Sequence, residues 1–448
     1  MTENQLEQLR NKINDIDDEI LKLLAIRSET VINIGKNKNS NLEVVDLDRE
    51  QKILKRLLNN NQGSYSKDTI VRIWRELFEA STILQIPNKL NIQTKRSIND
   101  ISIYTGGQSS VNGNQDIIKL SSNENTYGPS PRILKSLNFE NLDQRLNRYP
   151  EINGITLRNA IAKINNLDPE RIVLGCGSDE ILLFAALAFC RSGDEIIQAQ
   201  NGFEMYSIIA KIVGATTKFA QEINYAISID SIIKQINEST KLIYIANPNN
   251  PTGTYLNHSE IRNLMKLIPK NIVVVLDGAY AEYVLQKDYD KGFALTDEFK
   301  NIILTRTFSK SYGLAGLRIG WCYSSLDIVS ILNKVKGPFN TSFIAQEVAI
   351  AALEDQAYIE EIVNKNYKIK SWFEDQLMQL GINIRKTFAN FTFIEETNNK
   401  VELITQGLLE DGIIVRKLDS YNLPNCLRIT IGTQEEMNKT LESLKKVI

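Results

Sequence analysis

The sequence contains almost no histidine and few cysteines. His258 is the only histidine in 448 residues, which excludes histidine-based catalytic triads and histidine-rich metal sites. We expect His258 itself in a surface loop that opens a helix. The cysteines at positions 176, 190, 322 and 426 are scattered and form no CxxC pair. We therefore expect reduced thiols in a cytoplasmic protein, with no disulfide framework and no metal site.

Long apolar runs and an excess of charge of one sign are also missing. The longest apolar run, residues 181–190, falls short of the roughly 18 residues that cross a membrane, so we expect no membrane partner. The N-terminal residues MTENQLEQLR are polar and contain no signal-peptide core. A net charge of −2 argues against nucleic acid as the main partner. A chain of 448 residues predicts two or three domains with substantial cores.

The first 86 residues have the pattern of packed helices. Apolar residues alternate at spacings of three and four, which predicts one helix of about 35 residues; they are Leu6, Leu9, Ile13, Ile16, Ile20, Leu23, Val31 and Ile34. So long a helix in so small a domain needs a partner, so we expect a dimer. The cations Arg27 and Lys38 lie on this apolar seam, where burial is costly unless an anion meets them.

Two further segments place polar groups on their inward faces. Asp46, Arg49 and Glu50 share one helical face, while Ser81 and Gln85 follow the stripe of a third helix. Together with Arg27 and Lys38, these groups outline a charged internal pocket. The pattern alone favours a helical dimerisation bundle with internal salt bridges. A DNA-binding module is the other alternative, but residues 1–86 hold 13 Lys/Arg against 14 Asp/Glu and no basic stripe.

Residues 1–86 resemble the all-helical chorismate mutase family in the order and spacing of eight residues. These are Arg10, Arg27, Lys38, Asp46, Arg49, Glu50, Ser81 and Gln85. The resemblance implies a domain-swapped helical dimer that rearranges chorismate to prephenate, a reaction that requires only a folded dianion and well-placed charge. It implies that Arg27 and Arg10 of the partner subunit bind the carboxylates. Lys38 and Gln85 would face the ether oxygen and Glu50 the hydroxyl, with Asp46, Arg49 and Ser81 completing the site.

The segment after Gln85 reads as a linker that leads to a second domain. Pro87 ends the helical pattern, and residues 87–100 are polar. From residue 101, apolar strands alternate with helices, which predicts a mostly parallel sheet wrapped by helices, with function at the carboxyl ends of the strands. We expect a large part at about 131–337, and a small α+β part at about 338–448 that includes the 101–130 arm. The predicted strands are 171–174, 195–199, 242–246, 272–276, 302–305 and 319–323, and helices include 178–191 and 259–267.

Several polar groups are expected at those strand ends. Gly177, Ser178 and Asp179 follow a strand and open a helix, which suits a phosphate, although such turns are usually only turns. Asp277 ends an apolar strand, where its carboxylate needs a cation or a proton. Lys310 lies in the stretch TRTFSKSYGLAGLRIG, whose hydroxyls and arginine suit an aldehyde cofactor that carries a phosphate. Alone, this stretch fits a solvated lysine in a Gly-rich turn equally well.

From about residue 100 to the end, the chain resembles fold type I pyridoxal-phosphate aminotransferases, in particular the histidinol-phosphate aminotransferase family. The resemblance rests on SSNENTYGPSP, RYPEINGITLR, NPNNPTG, TFSKSYGLAGLRIG and CLRITIGT. It implies a homodimer with pyridoxal 5'-phosphate held in Schiff-base linkage to Lys310, with Asp277 and Tyr280 as further catalytic residues. The implied cofactor-binding residues are Gly177, Ser178, Asp179, Phe203, Asn250, Asp277, Tyr280, Thr307, Ser309, Lys310, Arg318 and, across the dimer, Tyr149.

The substrate is less well defined by the sequence. The resemblance implies that Arg428, Arg416 and Tyr127 bind the substrate, but a guanidinium accepts a carboxylate or a phosphate equally readily. Asn201-Gly202 stands where the family usually has Pro-Thr. The fused mutase favours an enzyme of aromatic amino acid biosynthesis, with glutamate or aspartate as donor and prephenate or phenylpyruvate as acceptor. The alternatives are histidinol-phosphate transamination and a helical module that only senses chorismate or an amino acid.

Overall fold

A computed structural model describes residues 3–37, 46–85, 94–101, 117–133 and 146–447 of the chain. The chain divides into two compact units, Met1–Asp100 and Ile101–Ile448.

The first unit is helical, as the sequence predicts. Its helices are α1 Glu3–Asn37, α2 Leu47–Asn60, α3 Lys67–Gln85 and the short α4 Arg96–Asn99. Helix α1 is 35 residues long. Both α1 and α2 pack against α3. Asp46 caps α2 by accepting a hydrogen bond from the backbone N–H of Arg49 at 2.9 Å.

Much of the apolar seam of α1 remains exposed in the single chain. The exposed residues of this seam are Leu9, Ile13, Ile16, Ile20, Leu23 and Ile34. Leu23 alone is 66% exposed. Burying such a side chain is worth about 1.5–3 kcal/mol, so this face favours association with another apolar surface.

The second unit alternates strands with helices along most of its length. Its helices are α5 Ile155–Asn165, α6 Ser178–Phe189, α7 Glu204–Val213, α8 Ile229–Gln235, α9 His258–Leu267, α10 Leu295–Glu298, α11 Leu326–Val335, α12 Phe343–Leu353, α13 Gln356–Gln379, α14 Asn398–Glu410 and α15 Gln434–Val447. Its strands are β1 Ile118–Lys119, β2 Ile172–Gly175, β3 Glu195–Ala199, β4 Thr216–Ala220, β5 Glu222–Ile223, β6 Ala226–Ile227, β7 Thr240–Ala246, β8 Val273–Asp277, β9 Ile302–Thr307, β10 Gly320–Tyr323, β11 Ile384–Arg385, β12 Phe391–Glu395, β13 Ile413–Ile414, β14 Arg416–Leu418 and β15 Leu423–Thr430. Single 3₁₀ turns cover Pro169–Arg171, Ala281–Tyr283, Ala315–Leu317 and Asp419–Tyr421.

Seven of these strands form one sheet in the order β2-β10-β9-β8-β7-β3-β4. Strand β10 runs antiparallel to β2 and β9, and the other neighbouring pairs are parallel. Alternate residues of β8 enter different cores: Val275 packs on one face of the sheet, and Val274 and Leu276 pack on the other. Two apolar faces require helices on both sides, which explains why central strands such as β8 are buried throughout.

The carboxyl-terminal part forms a smaller sheet covered by helices. Its order is β11-β12-β15-β14, with antiparallel pairing. The core packed on this sheet draws on α13, α14 and α15, through residues such as Phe373, Leu408 and Leu441. Strand β1 pairs in parallel with β13, so the segment just before residue 120 belongs to this smaller part.

The predicted mostly parallel sheet is confirmed, with strand ends shifted by one or two residues. Strand β9 extends to Thr307 because that residue pairs with Gly320 on β10. The sequence analysis missed β4, an edge strand whose side chains are mostly part-exposed and give little apolar signal. His258, expected in a surface loop before a helix, is instead the first residue of α9, between Asn257 and Glu260 of a capping box. No helix among the described residues is long and apolar enough to cross a membrane.

Candidate active sites

A cavity of about 240 Å³ opens at the carboxyl ends of β7, β8 and β9. This is the edge of a parallel sheet where ligands usually bind. Its described lining residues are Ser121, Ser122, Asn123, Ser178, Asp179, Phe203, Tyr206, Ala246, Pro248, Asn250, Asp277, Ala279, Tyr280, Thr307, Ser309, Lys310, Arg318, Arg416, Tyr421 and Arg428. The fold therefore brings together side chains that are separated by up to three hundred positions in the sequence.

Lys310 lies just beyond β9, inside this cavity. Its Nζ donates a hydrogen bond to the carbonyl oxygen of Ser122 at 2.9 Å. It also lies 5.7 Å from the ring centre of Tyr280. Burial, followed by the positive charge of Arg428, lowers the pKa of Lys310 to about 8. A lysine in this range has a substantial neutral fraction near physiological pH, which is the form that attacks an aldehyde.

Asp277 ends β8 and is only 5% exposed. Its Oδ2 accepts a hydrogen bond from the hydroxyl of Tyr206 at 2.8 Å, and its Oδ1 accepts one from the hydroxyl of Thr305 at 2.8 Å. Burial raises the pKa of Asp277, and these two hydrogen bonds act in the opposite direction by stabilising the charged form. The carboxylate is held in a fixed direction and suits a cationic partner in the cavity.

Tyr280 presents its hydroxyl to the same cavity. The side-chain amide of Asn123 donates to the Tyr280 hydroxyl at 2.8 Å. Asn123 has a φ of 55°, and its backbone N–H is bound to the Thr430 hydroxyl at 2.9 Å. Burial raises the pKa of Tyr280, so the hydroxyl keeps its proton and acts as a hydrogen-bond donor at neutral pH.

The N-terminus of α6 forms a cup suited to a phosphate. Gly177, with a φ of +80°, precedes the helix, and a Cβ there would lie 2.4 Å from Nη2 of Arg318. Nη1 of Arg318 donates to the Ser309 hydroxyl at 3.3 Å, and its Nη2 lies 3.3 Å from Oδ2 of Asp179. Free helix amides, hydroxyls and a guanidinium therefore converge where a dianion would bind.

Two arginines lie at the other end of the cavity. Arg416 and Arg428 are direct cross-strand partners on β14 and β15, so their side chains share one face of the small sheet. Arg428 donates to Oδ1 of Asn250 at 2.5 Å and to the carbonyl oxygen of Ser121 at 2.7 Å. Its buried Nε has no hydrogen-bond partner among the described residues. Arg416 forms a long ion pair with Glu204 at 4.0 Å.

Three of the predicted residues do not line the cavity: Gly177, Tyr149 and Tyr127. Tyr149 is 80% exposed and stacks on Phe339 with ring centres 4.5 Å apart. Tyr127 packs on the core of the smaller part, with Nζ of Lys365 at 5.2 Å from its ring. The roles predicted for Tyr127 at the substrate and for Tyr149 across the dimer stay predictions.

The sequence analysis missed Tyr206, Thr305, Asn123 and Tyr421. Tyr206 offered a usable signal, because a tyrosine on the buried stripe of an amphipathic helix needs a partner for its hydroxyl. Asn123 and Tyr421 gave no comparable signal, since their positions depend on contacts between distant segments.

In the first unit, α1 and α3 bring together part of the predicted internal pocket. Nη1 of Arg27 donates to the hydroxyl of Ser81 at 2.5 Å and to the carbonyl oxygen of Leu77 at 3.3 Å. Gln85 donates to the carbonyl oxygen of Ser81 at 3.1 Å, while its buried Oε1 has no partner among the described residues. A Cβ on Gly35 would lie 2.9 Å from Gln85, so α1 approaches α3 closely here.

The remaining predicted residues of this unit are less enclosed. Arg10 and Arg49 are exposed, and Glu50 is half-buried on the first turn of α2. Asp46 serves as the N-cap of α2, which is a structural role. Lys38 lies outside the described residues.

Comparison with known proteins places both units in families. Residues 115–444 match the family of class I and II aminotransferases. The chain belongs to this family. Residues 9–86 match the chorismate mutase type II family. This aminotransferase therefore carries a chorismate mutase domain in the same chain, and it combines transferase and isomerase classes of activity.

Named relatives of the aminotransferase cover most of its length. The histidinol-phosphate aminotransferase of Roseobacter denitrificans is 40% identical over 358 residues, which are 80% of this chain and 99% of the relative. That of Dinoroseobacter shibae is 42% identical over 345 residues, 77% of this chain and 94% of the relative. The crystal structure of the Sinorhizobium meliloti histidinol-phosphate aminotransferase with pyridoxal-5'-phosphate has a TM-score of 0.70 at 25% identity, covering 74% of this chain and 91% of that one.

The cofactor of the aminotransferase is pyridoxal 5'-phosphate. The residues present fit this group at three points. The cup at Ser178 and Arg318 matches the phosphate, the fixed carboxylate of Asp277 matches a protonated ring nitrogen, and the neutral fraction of Lys310 matches the aldehyde.

Proposed function

We propose that the chain is a bifunctional enzyme of aromatic amino acid biosynthesis. Its first unit would rearrange chorismate to prephenate. Its second unit would transfer an amino group from glutamate or aspartate to an aromatic 2-oxo acid such as prephenate or phenylpyruvate. The single observation that carries the choice of acceptor is the cross-strand pair Arg416–Arg428 at the substrate end of the cavity.

Paired guanidiniums favour a substrate with two anionic groups. Arg428 is the more deeply buried, and its unpartnered Nε leaves it able to bind a carboxylate. Arg416 also lines the cavity, and its guanidinium lies 4.0 Å from the carboxylate of Glu204. Prephenate has two carboxylates, and so do glutamate and aspartate. Phenylpyruvate has one.

The charges of the other lining residues agree with an anionic substrate. Asp179 and Asp277 are the only carboxylates among the described residues that line the cavity, and both lie on the cofactor side. Glu204, the carboxylate that pairs with Arg416, is not among the described lining residues, so a cationic imidazole would meet no lining carboxylate from them at the arginine end of the cavity. The aromatic side chains of Phe203 and Tyr421 offer apolar area for a ring.

Within this proposal, the chain's own residues have distinct roles. The cofactor, when bound, withdraws electrons from the bonds to the substrate α-carbon. Asp277 would hold its ring nitrogen protonated, with Asn250 and Tyr280 on the ring hydroxyl and Phe203 against the ring. Ser178, Asp179, Thr307, Ser309 and Arg318 would hold the phosphate. Nζ of Lys310 would attach the cofactor and then carry the proton that leaves the substrate α-carbon.

We also propose that the enzyme acts as a homodimer. The exposed apolar seam of α1 supports this, since a second copy of α1 would bury it. Arg10 and Tyr149 are both exposed in the single chain, as residues that complete a partner's site would be. We also propose a cytoplasmic location, where the four cysteines would stay reduced.

Histidinol-phosphate transamination is the second candidate, favoured by the names of the relatives at 40% and 42% identity. A phosphate monoester can bind to the same arginines. The two candidates differ in what they require of Arg416, because imidazole-acetol phosphate and phenylpyruvate have one anionic group where prephenate has two.

An Arg416→Gln variant tests the proposal. Enzyme preloaded with the amino group is mixed with prephenate, phenylpyruvate or imidazole-acetol phosphate, so that the donor's own carboxylates do not affect the comparison. We expect kcat/KM for prephenate to exceed that for imidazole-acetol phosphate by about tenfold or more, a difference of about 1.4 kcal/mol. Arg416→Gln should reduce the prephenate value about tenfold more than the phenylpyruvate value.

Lys417→Gln is the matched control, since Lys417 is adjacent on β14 and pairs instead with Glu402 on the surface. A preference for imidazole-acetol phosphate in the parent enzyme would overturn the choice of acceptor. An equal loss for prephenate and phenylpyruvate in Arg416→Gln would remove the two-carboxylate argument.

A further inference from the structure

The second unit contains another cavity, of about 430 Å³, which the aminotransferase reaction does not use. Its volume falls within the range of about 300–1,000 Å³ typical of small-molecule sites. The described residues that line it are Ile164, Asn165, Ala281, Glu282, Val284, Leu285, Tyr289, Lys291, Phe293, Arg306, Thr307, Tyr312, Trp321, Leu353, Gln356, Ile359, Glu360, Val363 and Asn364.

One wall of this cavity is aromatic and apolar. Phe293 and Trp321 stack with ring centres 5.9 Å apart, and Tyr289 and Tyr312 supply two further rings. Ile359 and Val363 of α13 extend the apolar surface. A planar ring of ligand size would be desolvated and stacked here.

A buried arginine and a nearby lysine supply positive charge to the same cavity. Arg306 is only 2% exposed, and its guanidinium lies 5.1 Å from the ring centre of Phe293. Its Nη1 donates to the carbonyl oxygen of Thr305 at 2.7 Å and its Nη2 donates to the carbonyl oxygen of Lys291, while its Nε has no partner among the described residues. Lys291 is exposed at the edge of the cavity. The Nε of Arg306 and the ammonium group of Lys291 are thus the positive groups that a ligand carboxylate would meet.

A carboxylate of the protein faces the same space. Glu282 lines the cavity and forms no ion pair within 4.0 Å among the described residues. Burial raises the pKa of Glu282, and the charges of Arg306 and Lys291 oppose that rise. A ligand ammonium group would pair with this carboxylate. Glu282 would repel a ligand that carries only negative charge. Arg306 and Lys291 would repel a ligand that carries only positive charge.

We propose that this cavity binds a free α-amino acid with an aromatic side chain. The ligand carboxylate would lie against Arg306 and Lys291, its ammonium group against Glu282, and its ring against Phe293, Trp321 and Tyr312. The contacts to the carboxylate, the ammonium group and the ring together select a zwitterion with an aromatic ring. Each contact alone would accept a broader class of ligands. The proposal stands on this cavity only and does not depend on which acceptor the aminotransferase prefers.

Strand β9 connects this cavity to the cofactor site. Thr305 donates to Asp277, Arg306 enters the second cavity, and Thr307 lines both cavities. Successive residues of one strand therefore serve the two sites. A ligand that contacts Arg306 acts on the strand that positions Asp277 and the phosphate cup.

Binding is tested by calorimetry on the full-length holoenzyme after borohydride reduction, which fixes the cofactor on the enzyme and prevents its exchange with an added amino acid. L-phenylalanine or L-tyrosine should bind with one equivalent per chain. L-alanine, which lacks the ring, and 3-phenylpropionate, which lacks the ammonium group, should each bind at least about tenfold more weakly.

Lys291→Met and Glu282→Gln should each weaken phenylalanine binding about tenfold or more. Lys287→Met is the matched control, because Lys287 is exposed nearby and does not line the cavity. Lys291 is on the surface, so its variant keeps the test valid even if Glu282→Gln fails to fold. Absence of binding at millimolar phenylalanine would overturn the proposal. So would binding that Arg416→Gln abolishes and Lys291→Met leaves unchanged, since that ligand would occupy the active site.

Discussion

The side chain of Tyr206 stabilises the charged form of a buried carboxylate, Asp277. Asp277 loses hydration at the end of β8, and two hydroxyl donors replace part of that hydration. Tyr206 is itself fixed by stacking on Tyr244, with ring centres 4.6 Å apart and planes inclined by 9°. We regard Tyr206 as a positioning residue that keeps Asp277 charged and correctly oriented.

Replacing Tyr206 by Phe should therefore affect catalysis through Asp277. A hydrogen bond to a charged group is worth about 1.5–3 kcal/mol, so we expect kcat/KM to fall by about 10- to 100-fold. Loss of a donor to the charged form raises the pKa of Asp277 further, so the acid limb of the kcat/KM profile should move to higher pH. Steady-state kinetics across pH measures both effects.

Tyr244→Phe is the matched control, because the buried hydroxyl of Tyr244 donates to the carbonyl oxygen of Leu182 at 2.7 Å and does not touch Asp277. It should lose about 1 kcal/mol of unfolding free energy and keep the parent pH profile. Identical profiles for the two variants would show that Tyr206 acts only in packing.

Some site residues could be predicted from the sequence, and others could not. Lys310, Asp277 and Arg318 were identified because each stands out locally, as a charge at the end of an apolar strand or in a glycine-rich turn. Asn123 and Tyr421 reach the cavity only because the segment after β1 and the turn at 419–421 fold over the strand ends. Local sequence has no information on such contacts between distant segments.

At the scale of elements, the strands that were predicted from the sequence are those buried on both faces of the sheet. Strands buried on both faces, such as β2 and β8, appear in the sequence as continuous apolar runs with sharp ends. The edge strand β4 and the two-residue strands lack that signal, because their pairing depends on neighbours more than on their own composition. The 35-residue length of α1 was predictable because apolar residues recur at helical spacing from Leu6 to Ile34, with only Arg27 breaking the seam.

The loop that opens α6 makes a testable element-scale prediction. Gly177 combines a φ of 80° with a ψ of 167°, a conformation open essentially only to glycine, and its missing Cβ leaves room for Arg318. Gly177→Ala should displace Arg318 from the phosphate cup and weaken cofactor binding about tenfold or more. Titration of the apoenzyme with pyridoxal 5'-phosphate, followed by fluorescence, measures this affinity.

Gly381→Ala provides the control, since Gly381 also has a positive φ, of 74°, but open space around its Cβ position. That variant should lose stability from backbone strain alone, by about 1–3 kcal/mol, and should bind the cofactor normally. Unchanged cofactor affinity in Gly177→Ala would contradict the proposed cup.

At the scale of the whole molecule, two active sites of different chemistry share one chain. The helical unit places the polar side chains of Arg27, Ser81 and Gln85 together, which suits a rearrangement driven by charge and orientation. The larger unit surrounds Lys310 with groups for a cofactor and two arginines for an acceptor. The product expected of the first site carries the two carboxylates that the second site is proposed to bind.

Isotope transfer from chorismate and ¹⁵N-glutamate tests this account most directly. The intact enzyme with its cofactor is incubated with both compounds, and the products are followed by mass spectrometry. We predict that prephenate forms and then gains the ¹⁵N-labelled amino group, giving the labelled amino acid of prephenate. Accumulation of unlabelled prephenate, in enzyme that readily aminates imidazole-acetol phosphate from the same glutamate, would contradict the account.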